Sequence, residues 1–355
     1  MRILVAPLDW GLGHTTRCVP VIQHLQSLGH TAVFAGNTWQ RQYIVKTFPA
    51  IETIHLEGYN VEYSKKGGGF MAKLFAQLPG LLKTIRYEHQ WVQEQAKVLH
   101  IDGIISDNRY GLYHPSVPSV IMTHQVLAQS GMGPFVDNLL RRIHYKRLER
   151  FNDCWVVDVP GTPNLAGKLA HPSVMPVNAQ YIGLLSQVEP MPVSEQHLLI
   201  LLSGPEPQRT LLADMLWQQV QQYKGKVVFV EGSDDVTDKG IIPANITYHK
   251  RITREVLQPL IAAANIVVCR SGYSTLMDLV VLGKKAILVP TPGQTEQEFL
   301  GRHLHKEGVF YHAPQKGLNL LAALKGAETF PFHKLPLADT QNQYKPVLED
   351  WLQKF

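Results

Sequence analysis

The stretch Val267 to Pro290, VVCRSGYSTLMDLVVLGKKAILVP, decides the fold, because strand, tight turn, helix and strand follow one another in it without a break. Ile266 to Cys269 is a short apolar run of the kind buried inside a parallel sheet. Arg270, Ser271 and Gly272 end it, Ser274 to Leu282 repeats apolar residues at helical spacing, and Ala286 to Val289 is apolar again. A strand, a crossover helix and a second strand form the unit from which doubly wound α/β sheets are built.

Outward from this unit the same alternation runs to both ends. The second half adds strands at Leu198 to Leu202, Val227 to Glu231 and Ile246 to His249, with helices near Gln208 to Tyr223, Arg254 to Ala264 and Glu296 to Glu307. The first half offers strands at Ile3 to Ala6, Thr31 to Ala35, Ile51 to Leu56, Gly103 to Ser106, Ser119 to Met122 and Cys154 to Val157. Its helical patterns lie near Arg17 to Leu28, Lys73 to Gln95 and Val136 to Arg150. Between the halves, Tyr181 to His197 has two prolines and little periodicity and reads as a linker. The expected architecture is α/β: two doubly wound, Rossmann-like domains, 1–184 and 185–335, facing across a cleft, with 336–355 forming a C-terminal helix that packs back on the body. Ligands in such folds bind at the carboxyl ends of strands, so the strand-to-helix loops are where chemistry is sought.

Composition agrees with two globular cores. The chain has 355 residues, 45% hydrophobic and 18% charged, enough for two domains and too apolar for disorder. The apolar runs, LLILL at Leu198 to Leu202 among them, fall far short of the roughly 20 residues that cross a bilayer. The N-terminus enters a strand directly and lacks the longer apolar region of a secretory signal, so a cytoplasmic location is expected. Cys18, Cys154 and Cys269 are far apart in apolar runs, as reduced core residues would be, and suggest neither zinc nor disulfides. The net charge of +5 falls in the first half, where residues 1–184 hold 17 basic and 12 acidic side chains. That bias is mild, and nucleic acid is not an expected partner.

Three loops carry the residue types that chemistry needs. After the first strand, DWGLGHTTRC from Asp9 to Cys18 has Gly11 and Gly13 for a tight turn, a helix expected near Thr15, and His14 beside its N-terminus. The spacing departs from the dinucleotide fingerprint, because Thr16 stands at the third glycine position, and a helix cap with an exposed histidine is an equal reading of this motif alone. After the strand ending at Cys269, Arg270, Ser271 and Gly272 place cation, hydroxyl and small backbone at a helix start, where a phosphate can sit. Asp278, about two turns into that helix, can reach a ribose hydroxyl; a solvated aspartate is the plain alternative. After the next strand, Thr291 to Leu304 crowds Gln294 to Glu298 at a helix start, with Gln297 and Glu298 the better candidates for reading sugar hydroxyls.

The arrangement RSG(x)5D followed by P(x)6QE resembles the C-terminal half of the nucleotide-sugar glycosyltransferases of the GT-B fold, above all the UDP-N-acetylglucosamine transferases of peptidoglycan lipid II synthesis. GLGH resembles the glycine-rich turn with histidine in the N-terminal half of that family. The resemblance covers most of the chain and is strongest from Val267 to Leu304. It implies a UDP-sugar co-substrate and no further cofactor, ribose hydroxyls on Asp278, and a donor sugar, N-acetylglucosamine or a related hexose, on Gln297 and Glu298. Two departures stand out. The family's acid is glutamate, so Asp278 reaches one methylene less far. In LLSGPEPQRT, Leu201 to Thr210, Glu206 stands in what is usually an acid-free diphosphate turn, which Ser203, Gly204 and Arg209 serve only if Glu206 points away.

The reaction expected is an inverting, metal-independent transfer to an acceptor hydroxyl. No D-x-D occurs, so charge on the leaving diphosphate falls to helix N-termini and arginine. His14 suits the general base, and Asp107, in IISDNRYG from Ile104 to Gly111, resembles the aspartate that partners such a histidine in this superfamily; a turn aspartate capping local N–H groups is the other reading. Asn108, Arg109, His124 and Gln125 end neighbouring strands on the acceptor side, with Gly11 and Gly13. Lys65 to Arg86 has five basic and no acidic residues among apolar ones, which suits a lipid-linked acceptor and peripheral contact with an anionic inner leaflet; a core helix with solvated lysines is equally open. Two further classes compete: a nucleotide-sugar hydrolase, whose opening GHTTRC resembles, and a non-catalytic nucleotide-sugar binding protein.

Overall fold

The computed structural model describes residues 1–59, 70–127, 133–192, 196–233 and 239–354, with the backbone alone at 70–78 and 134–135. The chain divides into two compact units, the first made of Met1–Glu62, Met71–Gln187 and Asp339–Phe355, the second centred on Val188–Ala338.

The first unit is built on a parallel sheet of seven strands: β1 (Arg2–Pro7), β2 (Thr31–Gly36), β3 (Glu52–His55), β4 (Gly103–Asp107), β5 (Ser119–Thr123), β6 (Asp153–Val156) and β7 (Ala179–Tyr181), in the order β3-β2-β1-β4-β5-β6-β7. Ile3 to Ala6 of β1 are wholly buried, which is why that strand is a continuous apolar run and not an alternating one. The helices α1 (Leu12–Ser27), α2 (Thr38–Thr47), α3 (Phe70–Val98) and α4 (Pro134–Leu148) cross between strands. The second unit has six strands, β8 (His197–Leu201), β9 (Val227–Val230), β10 (Ile246–His249), β11 (Ala264–Cys269), β12 (Ala286–Leu288) and β13 (Tyr311–His312), ordered β10-β9-β8-β11-β12-β13 and again parallel. Its helices are α5 (Gln208–Val220), α6 (Arg254–Ala263), α7 (Tyr273–Val281), α8 (Thr295–Lys306) and α9 (Leu320–Glu328). The last helix, α10 (Tyr344–Leu352), groups with the first unit. There Trp351 meets Trp155 edge to face at 5.7 Å, and the Tyr344 hydroxyl donates to the Pro20 carbonyl.

The doubly wound reading of both halves holds, and strand order reverses between β1 and β4 and between β8 and β11. Those two switch points are where parallel strands leave room for a ligand beyond their carboxyl ends. The carboxyl ends of β1, β4, β8 and β11, with the turns that follow them, hold the approach to His14, Asp107, Ser203 to Arg209 and Arg270 to Gly272.

Local differences from the sequence reading have physical causes. Helix α1 begins at Leu12, so His14 lies in its first turn and not in the preceding loop; Gly11, at φ 130, makes the entry, and Gly13 hides the helical pattern. Pro20 inside α1 has no N–H, and the Thr16 carbonyl that it leaves without a helical donor is taken by the Gln187 side-chain amide. The stretch Tyr181 to Gln187, expected as linker, is packed into the first unit, with Ile182, Leu184 and Leu185 buried and Gly183 donating to the Asp158 carbonyl. Among the described residues no helix is long and apolar enough to cross a membrane. Lys65 to Gly69 of the basic, apolar stretch lie outside the described residues, and Phe70 to Arg86 belong to α3.

Candidate functional site

In the first unit, the carboxyl end of β4 delivers Asp107 to the first turn of α1. Asp107 Oδ2 lies 3.0 Å from His14 Nδ1. Arg17, one turn after His14, is buried and clamps the same carboxylate with two nitrogens, Nε on Oδ2 at 2.7 Å and Nη2 on Oδ1. Its Nη1 contacts His124 Nδ1 at 2.9 Å, and Nη2 lies 3.0 Å from His14 Nδ1. His14, Asp107 and His124, read from three separate loops, thus meet around an arginine that sequence reasoning did not single out. A signal was present: i and i+3 share a helix face, so Arg17 in GHTTR had to lie beside His14.

Electrostatics follow from this geometry. Burial alone would raise the Asp107 carboxyl, but Arg17, with His14, outweighs it and holds the group at about 2. Burial lowers the His14 pKa, Arg17 lowers it further, and Asp107 opposes both. The entry to α1 is held by Gln40, whose buried amide donates to the Leu8 carbonyl and to Thr15 Oγ1 at 3.1 Å each, while Asn37 and Gln40 form a capping box that starts α2.

The other acceptor-side candidates divide. Asn108, adjacent to Asp107, adopts φ 58, which asparagine tolerates, and its Oδ1 is buried without a hydrogen-bond partner. Gln125 is half-buried beyond β5. Arg109 is fully buried and acts as a strut: Nε donates to the Pro7 carbonyl, and Nη1 to the Glu57 carbonyl and to Glu88 Oε1 at 3.0 Å. Glu88 in turn accepts the Gly111 N–H and the Tyr59 hydroxyl.

In the second unit, Ser203 and Gly204 are exposed beyond β8, and Gly204, at φ 106, has the conformation that favours glycine. A Cβ built on Gly204 would stand 3.9 Å from Thr291 Oγ1, a buried hydroxyl with no hydrogen-bond partner in the structure. Glu206 does not point away: its carboxylate pairs with Arg209 Nη2, and Oε2 accepts the Thr210 N–H in the first turn of α5. Glu206 thus occupies both the arginine and a first-turn N–H of α5.

Arg270 is turned inward. Its Nη1 donates to the carbonyls of Val289 and Pro290 and to Gln315 Oε1, and Nη2 to the Gln208 carbonyl, so the guanidinium satisfies the end of β12 and the start of α5. Burial lowers its pKa to about 10. Ser271 is buried and donates to the Gln297 carbonyl, and Gln297 Oε1 accepts the Thr291 N–H. Glu298 Oε1 accepts the Gly293 N–H. Gly272 caps α7 at φ −73, where no neighbouring atom lies within 4 Å of a built Cβ. Asp278, the sixth residue of α7, is partly exposed and sits 3.8 Å from Arg254 Nη2. Among the described residues no cluster of three or more His, Cys, Asp or Glu side chains is placed to hold a metal ion.

Known proteins place this fold in a class. The glycosyltransferase SsfS6 of Streptomyces sp. SF2575, solved with thymidine diphosphate, superposes with a TM-score of 0.66 over 99% of each chain at 14% identity, a likeness of fold. The chain thus has the two parallel α/β domains of the GT-B glycosyltransferases. Residues 210–327 match the glycosyltransferase family 28 C-terminal domain. An uncharacterized glycosyltransferase of Methanosarcina mazei is 23% identical over 336 residues, 87% of this chain and 84% of its own. The UDP-N-acetylglucosamine–N-acetylmuramyl-(pentapeptide) pyrophosphoryl-undecaprenol N-acetylglucosamine transferase of Caldanaerobacter subterraneus is 27% identical over 125 residues, 33% of this chain and 34% of that enzyme. The family domain and the relatives named glycosyltransferase support a transferase enzyme.

Proposed function

We propose that the chain moves a sugar, N-acetylglucosamine or a related hexose, from a UDP-sugar to an acceptor hydroxyl by a single inverting displacement that uses no resident metal or cofactor. The observation that carries this reading is the 3.0 Å contact between His14 Nδ1 and Asp107 Oδ2 at a switch point of the first sheet. A histidine oriented by a carboxylate leaves its other nitrogen to accept a proton. In the proposed step His14 Nε2 takes the acceptor hydroxyl proton, the freed oxygen bonds to the anomeric carbon, and the bond from that carbon to the diphosphate breaks, releasing UDP with inversion.

Donor binding is assigned to the second unit. The open space over Gly272, at the N-terminus of α7, and the partnerless hydroxyl of Thr291 beside Gly204 suit diphosphate oxygens. Arg270, spent on carbonyls, is given a supporting role under that turn, and Asp278 the ribose hydroxyls. The lipid II transferase of Caldanaerobacter subterraneus is named for UDP-N-acetylglucosamine and SsfS6 was solved with thymidine diphosphate, and both compounds contain a pyrimidine nucleoside diphosphate, which supports a UDP-sugar donor. A lipid-linked acceptor, met at an anionic leaflet through Lys65 to Arg86, belongs to the same reading and rests on that stretch's composition.

UDP is expected to raise the melting temperature of the protein, and Asp278→Ala to remove most of the rise, because a ligand stabilises by its affinity for the folded chain alone. If UDP and UDP-sugars at millimolar concentration leave the melting of both proteins unchanged, the donor assignment is wrong.

A further inference from the structure

We propose that Arg17 is a positioning residue of this site: it takes up the charge of Asp107 and holds His14 neutral, with its proton on Nδ1 and its Nε2 lone pair open. The inference rests on the reading of His14 as the proton acceptor. It stands on three contacts of one buried guanidinium, with Asp107, His124 and His14.

A guanidinium only donates, so any ring nitrogen bonded to it must accept. His124 Nδ1, 2.9 Å from Arg17 Nη1, is therefore unprotonated, and a neutral His124 carries its proton on Nε2. For His14 the neighbours of Nδ1 conflict, because Asp107 Oδ2 accepts and Arg17 Nη2 donates, each at 3.0 Å. Oδ2 has lone pairs for both Arg17 Nε–H and an Nδ1–H, and a proton on Nδ1 gives up only the donation from Arg17 Nη2, which keeps its bond to Asp107 Oδ1. A second proton, on Nε2, would make His14 a cation against Arg17 and in the first turn of α1, the positive end of a helix that has no acid there. A bare carboxylate in place of the Asp107–Arg17 pair would do the reverse and favour imidazolium.

The charged and titratable groups that bear on His14 and its partners come from α1 and from the ends of β4 and β5. Arg17 and Cys18 lie on α1, Asp107 at the end of β4, His124 beyond β5, and Tyr110 beyond β4 near the pair. Burial raises the Cys18 thiol and the Tyr110 hydroxyl, and Asp107 adds to both, so neither contributes charge near neutral pH. His14 itself is lowered by burial first and by Arg17 second.

Nitrogen-15 NMR of the imidazole rings in the full chain, titrated from pH 4 to 8, tests this without any turnover. In the wild type, His14 is expected to show a protonated Nδ1 and an unprotonated Nε2 to below its ordinary pKa, while the neutral form of His124 shows the opposite tautomer. In Arg17→Gln, His14 should titrate higher by about 1 to 3 pH units, and the acid limb of turnover should move with it. Arg17→Lys, which keeps the charge and loses the fork, should restore most of the low titration. If Arg17→Gln does not fold, the wild-type tautomers and the Lys variant decide. An unprotonated His14 Nδ1 in the wild type, or a His14 that titrates alike in the wild type and the variants, overturns the inference. An enzyme inactive on every UDP-sugar whose His14 still titrates as described would sink the functional reading and leave Arg17's role intact.

Discussion

His14→Ala lowers turnover by about 10²- to 10⁴-fold, the usual worth of a placed general base, while the thermal shift given by UDP changes little. The asymmetry follows from where the groups stand: His14 belongs to the first unit, and the nucleotide-binding candidates lie in the second. The wild-type rate should also hold into mildly acid solution, because burial and then Arg17 lower the His14 pKa and a neutral ring is the active base. Steady-state UDP release across pH measures both effects. A variant with near-normal turnover would return His14 to the role of a helix-entry residue.

Asp107→Ala is expected to cost stability on a scale that few single substitutions reach. It leaves the Arg17 guanidinium buried without its carboxylate, and breaking a buried pair from one side costs roughly 3 to 5 kcal/mol. Asp107→Asn, which keeps one acceptor oxygen for the fork, should lose less. Wild-type stability should show the same interaction as a pH dependence. The folded carboxyl titrates at about 2 against an ordinary 3.8, so its contribution is complete above the unfolded value and is lost as the pH falls from about 4 towards 2. The size is about 2 kcal/mol. Urea unfolding of wild type and Asp107→Ala at pH 7 and pH 3 reads this directly: the gap between the two proteins should narrow at the lower pH. A constant gap would mean that Asp107 acts by packing and not by charge.

The strands were legible because parallel sheets bury both faces, so Ile3 to Ala6 and Leu198 to Leu202 stand out as unbroken apolar runs. Helix α2 was not, since its buried positions are Ile44 and the polar Gln40, which is inside for its hydrogen bonds and leaves no apolar stripe. Two-residue β13 is too short to carry a period. In the site, His14 and Asp107 could be read as residues at strand ends, whereas their contact depends on two elements 93 positions apart in the chain. Arg270 shows the limit most clearly. An arginine at the end of a buried strand reads as a phosphate ligand, and only folding brings Gln315 and the carbonyls of Val289, Pro290 and Gln208 around it. Glu206 stood out in the sequence as an acid in a diphosphate turn, but its pairing with Arg209 was not legible, because Glu206 precedes α5 and no helical spacing links the two.

Release of UDP from a panel of UDP-sugars by the purified full chain, followed with and without lipid extract as a source of acceptor, tests sugar transfer most directly. Slow release from donor alone, a large rise when acceptor is added, sugar recovered on the acceptor and loss of all of this in His14→Ala are the expected result. Rapid release of free sugar that depends on His14 and ignores acceptor would contradict transfer and make the protein a nucleotide-sugar hydrolase.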